Sequence, residues 1–192
     1  MSRPDNNAVV AAAKFRDVIR HLASGVTVIT ASLAGEPVGM TATAMCSVSA
    51  TPPSVLVSLQ SNTRTAIGVA ESGFLGIHLL RHAGRNIAEQ FASRGEHFAN
   101  INFDRDSQTG VPLLSDVLAW LLCAVEQTVP ASDHTIFVAR VLDCELKDRA
   151  PDPLLYFDRS YRQLASGAEP ATQNLEPWGS AQDTGLPGWG WP

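Results

Sequence analysis

The stretch "GMTATAMCSVSATPPSVLVSL", residues 39–59, decides how this chain is read. It has short side chains in alternation, then Pro52-Pro53, then a run of Val and Leu. Such a pattern belongs to extended strands interrupted by a turn. Side chains alternate between the two faces of a strand. A regular strand therefore puts Thr41, Thr43, Met45, Ser47 and Ser49 on one face. Met40, Ala42, Ala44, Cys46 and Val48 fall on the other, which suits a core. The hydroxyl face has two readings: a sheet surface facing water, or a wall against something polar and flat.

Outward from this stretch the chain alternates short β patterns with a few helices. Residues 8–23 predict a helix, with Phe15, Val18, Ile19 and Leu22 at helical spacing, Asn6 or Asn7 as N-cap and Gly25 as stop. "VTVITA" (26–31), a turn at 34–37 and an extended 38–50 form a hairpin signature. Residues 54–60 have little polar alternation and read as a strand buried on both faces. A short helix over 61–73, ending at Gly73, a strand at 74–80 and a helix over 81–95 follow, Ile87 and Phe91 being four apart. Residues 97–112 give no regular pattern. Residues 117–148 read as two strands about a turn near Pro130–Asp133, and 153–164 as a last strand. The expectation is a mainly β domain over 8–164, a small barrel decorated by helices. Residues 165–192, rich in Gly and Pro and carrying Trp178, Trp189 and Trp191, read as a flexible tail.

Bulk properties narrow the function classes. The chain of 192 residues carries a formal charge of −5, which argues against nucleic acid as the main partner. No apolar run is long enough to span a bilayer, and the N-terminus lacks a signal-peptide core, so a cytoplasmic protein with no membrane partner is expected. Cys46, Cys123 and Cys144 have no zinc-ligand spacing and read as reduced buried thiols. His78 and His82 fall on different elements, so no metal site is expected. Asp104, Asp106 and Asp116 read as solvated. Arginines outnumber lysines, twelve to two, which suits forked recognition of phosphate where an arginine lies in a site.

Two further segments carry chemistry. "QSNTRT" (60–65) ends a strand and opens a helix, whose free N–H groups and partial positive charge suit a phosphate. Ser, Asn and Thr also cap helices generally, so the motif alone is weak. "SDHTIFVARV" (132–141) begins a strand with Asp133-His134, where His134 either faces solvent or positions a bound ring.

Taken in order, "FRDVIRHLASGVTVIT", "GMTATAMCSVSATPPSVLVSL", "SNTRT", "NIAEQFA", "SDHTIFVARV" and "PLLYFDRSYRQL" resemble the flavin reductase-like family, from about Phe15 to Leu164. The resemblance implies a split β-barrel, Greek-key-like, and a homodimer that reduces FMN or FAD with NADH or NADPH. Reduced flavin then passes to a separate monooxygenase. Carried over by residue, Thr41, Ala42, Thr43, Ala44, Ser47, Val48 and Ser49 line the isoalloxazine and ribityl chain. Gln60, Ser61, Asn62, Thr63, Arg64 and Thr65 hold the phosphate end, and Phe91 lies close to the flavin. His134, with Tyr156, Tyr161 and Arg162, borders the nicotinamide. The family often has Gly where Ser132 and Ala139 stand here, beside the implied nicotinamide approach. Two alternatives stay open: a flavin-binding barrel without turnover (sensor, storage protein or oxidase), and an interaction module using the Trp-containing tail.

Overall fold

The computed structural model describes residues 10–147 and 152–164. In chain order the elements are α1 (Ala12–Ile19), β1 (Ser24–Gly25), β2 (Thr27–Leu33), β3 (Glu36–Ala42), β4 (Met45–Ala50) and β5 (Pro53–Gln60). Then come α2 (Arg64–Ser72), β6 (Phe74–Leu79), a 3-10 turn (His82–Gly84) and α3 (Arg85–Ala92). The chain continues through β7 (Phe103–Arg105), β8 (Pro112–Leu114), β9 (Ala119–Ala131), β10 (His134–Leu146), β11 (Leu155–Phe157) and β12 (Ser160–Arg162).

Seven strands form one antiparallel sheet in the order β3-β2-β6-β9-β10-β5-β4. β3 and β4 are its two edges, yet only Thr43 and Ala44 separate them in the chain. Three Cα steps span at most ~11 Å, so the sheet must curl until its edges stand side by side. That is a split barrel, open along the β3–β4 seam. The two longest strands, β9 and β10, meet at a two-residue turn where Ala131 faces His134. Leu33 likewise faces Glu36 across Ala34-Gly35, both at positive φ, the backbone of a tight hairpin turn.

Two cores fill the two sides of the sheet. Inside the curl, Ile29, Val55, Val57, Leu59, Leu75, Ile77 and Phe137 pack with Ala66 and Val69 of α2. Outside it, Val26, Val28 and Leu80 pack with Ile87, Ala88 and Phe91 of α3 and with Leu114 and Leu154. β2 and β6 thus carry consecutive buried residues because both faces are covered. Buried hydroxyls are satisfied by carbonyls of other segments: Thr27 donates to the Ala42 carbonyl (2.7 Å) and Thr30 to that of Pro112 (2.6 Å).

Several expectations need correction. Two-sided burial belongs to β2 and β6; β5 buries Val55, Val57 and Leu59 on one face and leaves Ser54, Leu56 and Ser58 only partly covered. The extended stretch 38–50 breaks at Thr43-Ala44, where the chain passes between the sheet's edges. This resets the alternation, so Met45 packs on the core while Cys46 is exposed. Cys144 is also exposed, and only Cys123 is a buried thiol, its pKa pushed up to about 12 by burial. The first helix is shorter than 8–23: Arg20 closes it, Gly25 belongs to β1, and the expected caps Asn6 and Asn7 lie outside the described residues.

The unpatterned 97–112 region contains β7 and the approach to β8, joined by a turn in which Asp106 accepts from the Thr109 hydroxyl and amide. These bonds hold the Asp106 carboxyl below its ordinary pKa. The last strand is instead the hairpin β11–β12, turning at Asp158-Arg159, with β11 paired to β1. Residues 165–192, including the three tail tryptophans, lie outside the described residues.

Candidate active site

The corner between β5 and α2 is built by its own polar residues. Thr63 is the N-cap: its Oγ1 accepts from the Ala66 amide (3.2 Å) and donates to the Gln60 carbonyl (2.8 Å). The Arg64 and Thr65 amides at the helix start make no hydrogen bond among the described residues. They supply the unsatisfied donors and partial positive charge expected of such a terminus. Gly73, at φ 74°, ends the helix in the left-handed conformation that glycine adopts without strain. The Ser61 amide donates to the Asp133 carbonyl (3.0 Å), and the Ser61 and Thr135 hydroxyls are 2.8 Å apart. The β9–β10 turn is thereby fastened to this corner.

A cleft of about 1160 Å³ opens beside it. β3 contributes Glu36 to Thr41. Gln60, Asn62, Thr63, Arg64 and Thr65 form the α2 side. Phe91 and the segment Ala92–Ala99 complete it. A smaller cavity of about 190 Å³ adjoins, lined by Val26, Thr41, Ala42, Thr43, Ala92, Tyr156 and Tyr161. Thr41 and Ala92 border both, so the two spaces lie on either side of that pair. Tyr156 and Tyr161 meet edge to face with centroids 5.5 Å apart, and the Arg85 guanidinium sits 5.5 Å from the Tyr161 ring centroid.

Eleven of the residues named from the sequence line these two spaces. Thr41, Gln60, Asn62, Thr63, Arg64, Thr65 and Phe91 border the larger space, and Thr41, Ala42, Thr43, Tyr156 and Tyr161 the smaller. Ala44, Ser47, Val48, Ser49, Ser61, Arg162 and His134 border neither. Ser47, Val48 and Ser49 are on β4, the opposite edge of the seam, where the Ser49 hydroxyl accepts from Thr51. Thr41 lines both spaces, but its hydroxyl already donates to the Ala88 carbonyl (2.7 Å) and ties β3 to α3.

His134 is half-exposed and donates from Nδ1 to the Asp133 carboxylate (2.8 Å), a bond that keeps the Asp133 carboxyl below its ordinary pKa. It is the register partner of Gln60, so it stands one strand away from the cleft. Ser132 adopts φ 56°, the left-handed backbone in which glycine is common, so serine keeps the turn at this departure from the family pattern. Ala139 is buried between Val55 and Val125, at a shift in the β9–β10 register.

Two lining features went unread in the sequence. Gly39 lies where a Cβ would come within 2.7 Å of Phe91 Cε1 and 3.1 Å of the Ile29 carbonyl oxygen, so only glycine lets Phe91 lie on β3. The helix expected over 81–95 is shorter, α3 closing at Ala92 with Ser93 extended, and Ser93–Ala99 forms a loop that turns at Gly95 (φ 134°). Its place is set by His97, whose Nδ1 and Nε2 lie 2.8 Å from the Gly39 and Ser93 carbonyls.

Comparison with known proteins agrees with this geometry. The family model described as "Flavin reductase like domain" matches residues 19–165. A "Flavin reductase (NADH)" from Kitasatospora aureofaciens is 34% identical over 164 residues, covering 84% of this chain and 86% of that protein. The "4-hydroxyphenylacetate 3-monooxygenase, reductase component" of Thermus thermophilus is 34% identical over 150 residues, covering 78% and 95%. Among solved structures, "Flavin reductase PheA2 in native state" superposes with a TM-score of 0.74 at 35% identity, covering 81% of this chain and 99% of that one. With the barrel, the α2 corner and these matches in agreement, the chain belongs to the flavin reductase-like family.

Proposed function

We propose that this chain is an NADH-dependent flavin reductase that takes FMN or FAD as a substrate and passes the reduced flavin to a separate monooxygenase. The observation that carries the reading is the cleft that runs from the capped start of α2 to β3 and α3. Its unsatisfied Arg64 and Thr65 amides and the Arg64 guanidinium suit a phosphate, and its β3 side, backed by the buried Phe91 ring, suits a flat ring. The flavin supplies the redox chemistry, accepting a hydride at N5 and a proton at N1 while the nicotinamide is oxidised. The chain's task is to hold two rings at about 3–3.5 Å, a matter of proximity that needs no acid–base dyad. The smaller cavity between Tyr156, Tyr161 and Thr43 adjoins the cleft and suits the second ring. His134 contributes from the β9–β10 turn beside Gln60, with its imidazole oriented by Asp133.

NADH is preferred over NADPH in this reading because the Kitasatospora relative is named for NADH. Transfer to a monooxygenase follows the Thermus relative, itself named as a reductase component. A cytoplasmic location fits a supplier of reduced flavin; no described helix is long and apolar enough to cross a membrane.

A homodimer is part of the same proposal. Phe15, Val18, Ile19 and Leu22 lie at i, i+3, i+4 and i+7, are 58, 68, 45 and 63% exposed, and α1 buries no residue of its own. A helix of eight residues is marginal in water without a packed face. A second copy covering this stripe supplies one, and sedimentation of wild type against Val18→Asp tests it.

The deciding assay mixes the purified protein with excess FMN or FAD and NADH, follows loss of nicotinamide absorbance, and repeats with NADPH. Turnover that saturates in added flavin is expected. Flavin that binds without turnover, its yellow colour surviving desalting, would move the reading to a flavin-storing barrel.

A further inference from the structure

We propose that Arg94 reads the second phosphate of a dinucleotide flavin, which makes Ser93–Ala99 the element that favours FAD over FMN. This rests on the flavin-reductase reading above and extends it to the substrate class.

Two guanidiniums line the larger cleft, Arg64 at the start of α2 and Arg94 just after α3. Neither makes an ion pair or hydrogen bond among the described residues, although Glu36 and Glu96 line the same cleft. Elsewhere Arg20, Arg85, Arg140 and Arg159 are each paired with a carboxylate. With two carboxylates beside two guanidiniums, the cleft has no strong net field. Recognition then depends on where each guanidinium fork is held, and an arginine fork matches phosphate oxygens in pairs. FMN presents one phosphate and FAD two joined in a pyrophosphate. A site with one cation at the helix start and a second on a separate wall matches the latter.

The wall that carries Arg94 is fastened. Gln90 Nε2 donates to the carbonyls of His97 and Ala99, both at 2.8 Å. His97 bridges back to Ser93 and across to Gly39 of β3, also at 2.8 Å. Its ring packs on Phe91 with centroids 5.6 Å apart, and Phe98 meets Phe91 edge to face at 5.1 Å. Gly95, at φ 134°, turns the chain directly after Arg94. These ties fix the backbone on both sides of Arg94, so binding a phosphate has only the Arg94 side chain left to order. His97 is the positioning residue of this arrangement. It touches Gly39 and Ser93, and acts on the substrate through Arg94.

The test titrates riboflavin, FMN and FAD into wild type and variants and reads quenching of flavin fluorescence. Wild type is expected to bind FAD more tightly than FMN and riboflavin least. Arg94→Ala should lower the FAD-to-FMN affinity ratio by roughly ten- to a hundredfold, the worth of a charge-assisted phosphate contact. Arg64→Ala should weaken both nucleotides and keep the ratio. His97→Ala should lower the ratio as Arg94→Ala does, raising KM for FAD with kcat little changed. His97→Gln, whose amide offers two N–H donors, should restore it. An Arg94→Ala variant that loses FMN and FAD equally, or neither, overturns the assignment while leaving the reductase reading in place. A wild type that binds none of the three flavins overturns both.

Discussion

Acid should destabilise this protein through one buried histidine. His78 is fully buried on β6, with Nδ1 at 3.0 Å from the Val28 carbonyl and Nε2 without a partner. Desolvation holds its pKa at about 4, against 6.5 in a solvated chain, the Val28 bond only partly opposing the shift. Between these values the unfolded chain binds a proton that the folded chain excludes. Stability is full above 6.5, falls as pH drops through the window, and stops changing for this group below about 4. From this separation, the loss is about 2 kcal/mol at about pH 5 and about 3 kcal/mol at about pH 4. The carboxyls of Asp106, Asp133 and Glu145 are held low, so their contributions begin to fade only below their ordinary values of 3.8 and 4.5, outside the interval from about pH 7 to about pH 5. The assay is urea unfolding at a series of pH values for wild type and His78→Gln, which cannot titrate. Wild type should lose about 2 kcal/mol more than the variant between about pH 7 and about pH 5. Parallel curves for the two proteins would refute the argument.

Gly39→Ala forces a Cβ against the buried Phe91 ring and the Ile29 carbonyl, which should cost about 1–3 kcal/mol and raise KM for flavin. Adding Phe91→Leu should recover part of the stability in thermal unfolding. Thr63→Ala removes the α2 cap, with an expected loss of about 1 kcal/mol, or ~2–4 °C in Tm for a domain of this size, and weaker flavin binding. Ser132→Gly relieves a left-handed serine at the β9–β10 turn and should leave stability equal or raise it by up to about 1 kcal/mol, measured by urea midpoint. A loss would mean that the Ser132 side chain stabilises the turn.

The parts of the fold that sequence pattern reveals are those fixed by near neighbours. The Thr63 cap and Gly73 stop of α2, and the two-residue turn between β9 and β10, involve residues a few positions apart, and each is where the pattern puts it. The misread parts depend on what arrives from far along the chain. β2 is buried on both faces because α2 covers one side and α3 the other, which no local alternation signals. α1 has the spacing of a packed helix, yet its apolar stripe stays largely exposed and the helix buries no residue. The cleft divides the same way. Its α2 side is a local motif, but its other wall exists because His97 reaches Gly39, 58 positions earlier, and Thr41 reaches Ala88, 47 positions later.

That division also answers the question posed by the hydroxyl-rich strands. Thr27, Thr30 and Thr41 each donate to a backbone carbonyl of another segment, so these hydroxyls fasten β2 and β3 in place. Ser47 and Ser49 sit on β4 at the far edge of the seam. Threonine hydroxyls engaged in this way give a bound ring little to hold beyond the β3 backbone, since the Phe91 ring is itself buried. The strong donors left free, the start of α2 and the two guanidiniums, line the cleft proposed above for the nucleotide's phosphates. A protein that holds its flavin by the phosphate end, and only lightly by the ring, gains affinity from groups that do not change on reduction. Such a site binds oxidised and reduced flavin with similar strength. Release after hydride transfer then depends on dissociation alone, as a reductase that supplies a second enzyme requires.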